Sequence, residues 1–179
     1  MVSVRIEQQY QDEKDLYQYL MGKEEVSYAT YVDSVYKKVL LLSAASYYES
    51  RISAIIINYA RESSETDQRL SVFIEKKMLE RQYHTLFTWT GNNTNSFWAL
   101  FGSETKDKVR KIINDNPELE SAEKAFLELG DKRNQLVHQN FSEFDVNITI
   151  DEIYSKYVLA NKFVELVATV LSHSFVTNS

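Results

Sequence analysis

Only four glycines and one proline occur among the 179 residues, and neither interrupts the stretch from Tyr28 to Tyr59. Tight turns draw on Gly and Pro for backbone angles that other residues resist. Their scarcity argues against a fold of many short strands joined by tight turns. The same stretch spaces Tyr28, Val32, Val35, Val39, Leu42, Ser46, Ser53 and Ile56 close to the helical period. A single helix over it would be roughly 45–50 Å long, enough to form the spine of a bundle.

Other segments read the same way. A first helix is expected from about Val4 to Met21, with Ile6, Tyr10, Leu16, Tyr17 and Leu20 as apolar contacts and Gly22 at its end. A polar loop, Arg61 to Asp67, separates the long helix from a third segment, about Gln68 to Tyr83, with Leu70, Phe73, Ile74, Met78 and Leu79 inward. Residues 84–102 lose this regularity. Both tryptophans and several phenylalanines gather there around Gly91-Asn92-Asn93, which reads as an insertion packing on the bundle through its aromatics. Ser103 suits the N-cap of a short helix to about Asn114. Asn116-Pro117 opens another helix, with Ala122, Phe126 and Leu129 inward and Gly130 as a place where it bends. After an extended connection over 140–148, Thr149 and Glu152 form a capping box, with Ile148 and Ile153 as its staple. The last helix, about Ile150 to Ser172, turns Ile153, Tyr157, Ala160, Val164, Val167 and Leu171 to one face. The expected fold is all-α: one domain over residues 1–179, a bundle of four to five main helices with an aromatic-rich irregular insertion.

Composition narrows the function. Without cysteine there is no disulfide, no thiolate nucleophile and no Cys-based zinc site. The opening residues lack an apolar signal segment, and the longest apolar runs, Val39 to Leu42 and Ala54 to Ile57, are core-sized, which points to the cytoplasm and away from membranes. The formal charge of −6 argues against gripping long nucleic acid over the whole surface. A small basic pocket acting on one phosphate remains compatible with it.

Chemistry concentrates in Arg133-Asn134-Gln135-Leu136-Val137-His138. An imidazole moves protons near neutral pH, and a guanidinium holds phosphate. Of the three histidines, His173 lies near the terminus and His84 reads as a packed or hydrogen-bonded structural residue. The His-x-x-x-His spacing of a helical zinc site is missing, and no metal or cofactor is expected. Asn134 and His138 share a helical face, whereas Arg133 lies about 140° from His138 at ~100° per residue. A distorted helix, a wrapped arginine or a two-fold dimer would each unite them, and the dimer is favoured. Read without further context, Arg133 would pair with a bundle carboxylate and His138 would cap a helix end.

The pattern R-N-x-x-x-H resembles the signature of the HEPN superfamily of helical ribonuclease domains, in which the motif lies on a late helix followed by one more. The chain also resembles a bacterial stand-alone subfamily of HEPN-like nucleases found among defence and mobile-element genes. This closer likeness is carried by Ser46-Tyr47-Tyr48-Glu49-Ser50-Arg51, by Arg81 to Trp89 with Phe97 to Gly102, and by Asp131 to His138. The resemblance implies a metal-independent endoribonuclease with a composite site in a homodimer. Arg133 would brace the phosphate, Asn134 would orient, and His138 would serve as acid and base. It also implies a supporting polar residue on an earlier helix, here Glu49, which otherwise would pair with Arg51 or Arg133. RNA is the implied substrate, and an antitoxin or defence-system protein the implied partner. The competing expectation is a non-catalytic HEPN-like dimeric module that binds a protein, nucleotide or RNA.

Overall fold

The structure, a computed structural model, describes residues 3–64, 69–79 and 82–172. These residues form seven α-helices: α1 Val4–Gly22, α2 Val26–Ser63, α3 Arg69–Ile74, α4 Asn95–Ala99, α5 Ser103–Asn114, α6 Pro117–His138 and α7 Ile150–Val170. A π-helical turn, Glu75–Leu79, follows α3, and a 3-10 turn, Tyr83–Thr85, precedes the aromatic segment. Among the described residues there is no strand, and no helix is long and apolar enough to cross a membrane. The chain is all-α. Helices α1, α2, α6 and α7 pack on one another, with α2, roughly 57 Å long at 1.5 Å per residue, touching the other three.

The buried stripe of α2 is Leu40, Leu41, Ala44, Tyr48, Ile52, Ile56 and Ala60. It differs from the expected one, since Tyr28, Val39 and Ser46 are exposed. Ala44 and Ala60, small and weakly apolar, are buried within this stripe. Leu16 and Tyr17 of α1, and Leu70 and Phe73 of α3, are likewise exposed against expectation. At position 13, α1 instead buries a charged residue: Glu13 is 2 % exposed. The expected loop at Arg61 is helical through Ser63, while its residues 65–67, Gln68 at the expected start of the third segment, and His173 lie outside the described residues.

Helix α6 starts as its sequence dictates. Asn116 accepts from the backbone N–H groups of Glu118 and Leu119, at 3.0 and 3.2 Å, and Pro117 takes the first helical position. Thr149 and Glu152 close the capping box of α7. Ser103 is not a cap. Gly102, at φ +99°, takes that position in the left-handed region that favours glycine.

The aromatic segment packs as expected. Phe87 stacks on Phe97 with centroids 4.5 Å apart, and Phe126 of α6 meets Phe87, Trp89 and Phe163 of α7 at 5.0, 5.6 and 4.9 Å. Gly130 does not break α6, which runs unbroken to His138. Its missing side chain makes room for the Trp89 ring, since a Cβ there would stand 2.0 Å from Cε3. A buried carboxylate pins the segment further. Glu123 accepts from Thr94 N and Oγ1, at 2.8 and 2.6 Å, and from the Arg110 guanidinium at 2.8 Å, joining the start of α4 to α5 and α6.

Candidate active site

Helix α6 runs out of the core over its last two turns. Ala122, Ala125, Phe126, Leu127, Leu129 and Gly130 are buried, but beyond Gly130 only Leu136 is. Arg133 and Asn134 are therefore half-buried, and Val137 and His138 exposed. Gly130, Arg133, Asn134, Val137 and His138 follow the i, i+3, i+4, i+7, i+8 pattern of one helical face.

The last four of these form one wall of an open groove of about 270 Å3. Glu49 of α2 contributes a second wall, and Leu79 of the π turn with Tyr83 and His84 of the 3-10 turn a third. Arg133 and His138 stand at the two edges of an arc of about 140° that the groove spans. The helix stays regular, so neither distortion nor a second subunit is needed to bring both residues to one groove. A narrow apolar cleft of about 20 Å3, room for about one water molecule, shares Glu49, Tyr83, His84, Arg133 and Asn134 with the groove and reaches Trp89 and Phe126.

Within the groove, Arg133 donates from Nη1 to Asn134 Oδ1 at 3.1 Å and from Nη2 to Glu49 Oε2 at 3.4 Å. Glu49 thus contacts the motif from the earlier helix, and it does so as the partner of Arg133. The pair is single, long and about one third exposed, 30 % at Arg133 and 38 % at Glu49. Such a pair contributes about 0–1 kcal/mol, so the guanidinium can exchange a carboxylate for a phosphate at little cost. Tyr83 is buried, and burial first, then the Glu49 charge, pushes its hydroxyl well above the ordinary tyrosine value, with Arg133 pulling the other way. It therefore stays protonated. The imidazoles of His84 and His138 are exposed and have no hydrogen-bond partner among the described residues.

His84 is the residue that sequence reasoning missed. Its position forty-nine residues before Arg133 gives no periodic signal, and the contact depends on how the aromatic segment folds back. One hydrogen bond and one packing contact fix that fold: Trp89 Nε1 donates to the His84 carbonyl at 2.8 Å, and the Trp89 ring sits against Gly130. Beyond His138, Lys38 Nζ donates to the Phe141 carbonyl at 2.8 Å, holding the following connection against α2. Among the described residues no three His, Asp or Glu side chains gather as a metal site.

No curated protein and no solved structure matches the chain. The sequence model of the RiboL-PSP-HEPN family matches it over residues 8–173, nearly its whole length. The R-N-x-x-x-H motif closes α6 and one more helix follows it, as HEPN resemblance implies. The chain belongs to the RiboL-PSP-HEPN family, within the HEPN superfamily.

Proposed function

We propose that this protein is a metal-independent endoribonuclease acting in the groove between α2 and the end of α6. The observation that carries this reading is a guanidinium and an imidazole on the wall of one open groove large enough for a phosphate. HEPN membership, which suggests a ribonuclease-type or nucleotide-binding module, supports it. The RNA 2′-hydroxyl is tethered beside its phosphate, so its effective molarity replaces much of what a metal would supply. His138 accepts the hydroxyl proton. Arg133 leaves Glu49 and braces the phosphate oxygens as charge builds, and Asn134 keeps the guanidinium aimed. The 5′-oxygen departs protonated, leaving a 2′,3′-cyclic phosphate. DNA, without the hydroxyl, is not cut.

Two copies of the chain associate in this reading, as the family resemblance implies, and the exposed Leu70, Val72 and Phe73 of α3 fit such a surface. A cytoplasmic toxin or defence role, restrained by an antitoxin partner, is the setting that goes with it. The test is labelled RNA in EDTA with the parent and with His138→Ala and Arg133→Ala. Each substitution is expected to lower the rate about 10²–10⁴-fold. Cleavage at the parental rate by both variants would overturn the reading, and binding without any cleavage would mark a non-catalytic module instead.

A further inference from the structure

We infer that His84 is the proton donor to the departing 5′-oxygen, so that each chain carries both the acid and the base of the reaction. This rests on the ribonuclease reading above and assigns the one step that His138 of the same chain does not perform.

Placement comes first. His84 stands on a different wall of the groove from Arg133, Asn134 and His138. An in-line displacement at phosphorus has its entering and leaving oxygens on opposite sides, so base and acid must approach from separate walls.

The state of the side chain comes second. A structural histidine is packed or hydrogen-bonded, whereas this imidazole is exposed and without a hydrogen-bond partner among the described residues. Its backbone is nevertheless fixed. Tyr83 beside it is buried, and its own carbonyl accepts from Trp89 Nε1 at 2.8 Å. A free ring on a pinned backbone is what a positioned proton donor requires.

The charged and titratable neighbours come third. Glu49 faces the groove from α2, Arg133 and His138 from α6, and Tyr83 from the same turn. Glu49 holds Arg133 until the phosphate takes the guanidinium. Once released, its carboxylate accepts and does not donate, burial keeps the Tyr83 proton in place, and a guanidinium does not give one up. The two imidazoles remain as the groups able both to give and to take a proton.

The step balances. The 2′-oxygen bonds to phosphorus and its proton passes to His138. The phosphorus–O5′ bond breaks, and the 5′-oxygen takes a proton from the His84 imidazolium. The products are a 2′,3′-cyclic phosphate and a 5′-hydroxyl, and the two imidazoles return to their starting states by exchange with water.

The test compares an RNA dinucleotide with its analogue carrying sulfur at the bridging 5′ position. A thiolate leaves without protonation, so the analogue has no need of an acid. With parent, His84→Ala, His84→Gln and His138→Ala, both His84 variants are expected to lose about 10²–10⁴-fold on the natural substrate and to regain most of it on the sulfur analogue. His138→Ala stays slow on both. Melting temperatures of the His84 variants are expected to match the parent, since the side chain is exposed. Parental rates for His84→Ala on the natural substrate would overturn the assignment. So would an equal loss on both substrates, which would mark a binding or structural role. A parent that cuts neither substrate would instead defeat the ribonuclease reading itself.

Discussion

The Trp89 indole occupies the space that a side chain at Gly130 would fill: a Cβ there would stand 2.0 Å from Cε3 and 2.1 Å from Cζ3. Helix propensity alone favours Gly130→Ala by about 1 kcal/mol. Overpacking against a ring held by its own hydrogen bond costs about 1–3 kcal/mol and prevails. The variant is expected to melt below the parent in a thermal scan, by roughly 2–4 °C per kcal/mol. A rise in melting temperature would show that the ring has somewhere else to go.

Glu123 is the second point where the aromatic segment is tied down. Its carboxylate is 1 % exposed and carries bonds from Thr94 and Arg110. Removing one partner from a buried charged pair costs about 3–5 kcal/mol. Glu123→Ala is expected to lower the urea midpoint accordingly, and Glu123→Gln to lose less, because its amide oxygen still accepts from Thr94. Equal midpoints for both variants and the parent would contradict this account of the segment.

Glu13 makes stability depend on pH. Burial, and then repulsion from Asp33, raises its carboxyl from 4.5 to about 8, with Lys37 pulling the other way. The folded protein therefore holds this proton through neutrality, while the unfolded chain releases it above about 4.5. The contribution of the group is greatest below 4.5, declines as pH rises, and is fully lost beyond about 8. Glu13→Gln removes the titration. Its melting temperature is expected to gain on the parent steadily between pH 5 and 8 and to run parallel above that range. A constant difference across the range would refute this.

Glu49 and an incoming phosphate compete for the same guanidinium. Glu49→Gln removes an anion from the groove and a guide from Arg133. Steady-state kinetics are expected to show KM lower by a few-fold and kcat lower by up to about tenfold. A higher KM at unchanged kcat would mean that Glu49 binds RNA directly.

The starts of the last two helices were legible because their signals are local. Asn116-Pro117 and the Thr149 to Glu152 box act within one turn, and the apolar face of α7 meets a single continuous core. The long helix was legible in extent but not in orientation. It has neighbours on several sides, and its buried face includes Ala44 and Ala60, which carry little pattern. The third segment was read as one helix, whereas α3 gives way to a π turn and leaves Leu70 and Phe73 outside. In the groove, Arg133, Asn134 and His138 were visible as a motif and Glu49 as a candidate contact. Gly130 was read as a bend because sequence shows a missing side chain and not the ring that fills its place. His84 was passed over for a related reason: the bond from Trp89 that fixes its turn joins groups that no periodicity connects.

The most direct measurement is the end chemistry of RNA incubated with the protein in EDTA. The account expects 2′,3′-cyclic phosphate and 5′-hydroxyl ends, formed at least about a hundredfold more slowly by His138→Ala. Ends bearing a 5′-phosphate, or undiminished cleavage by that variant, would contradict it.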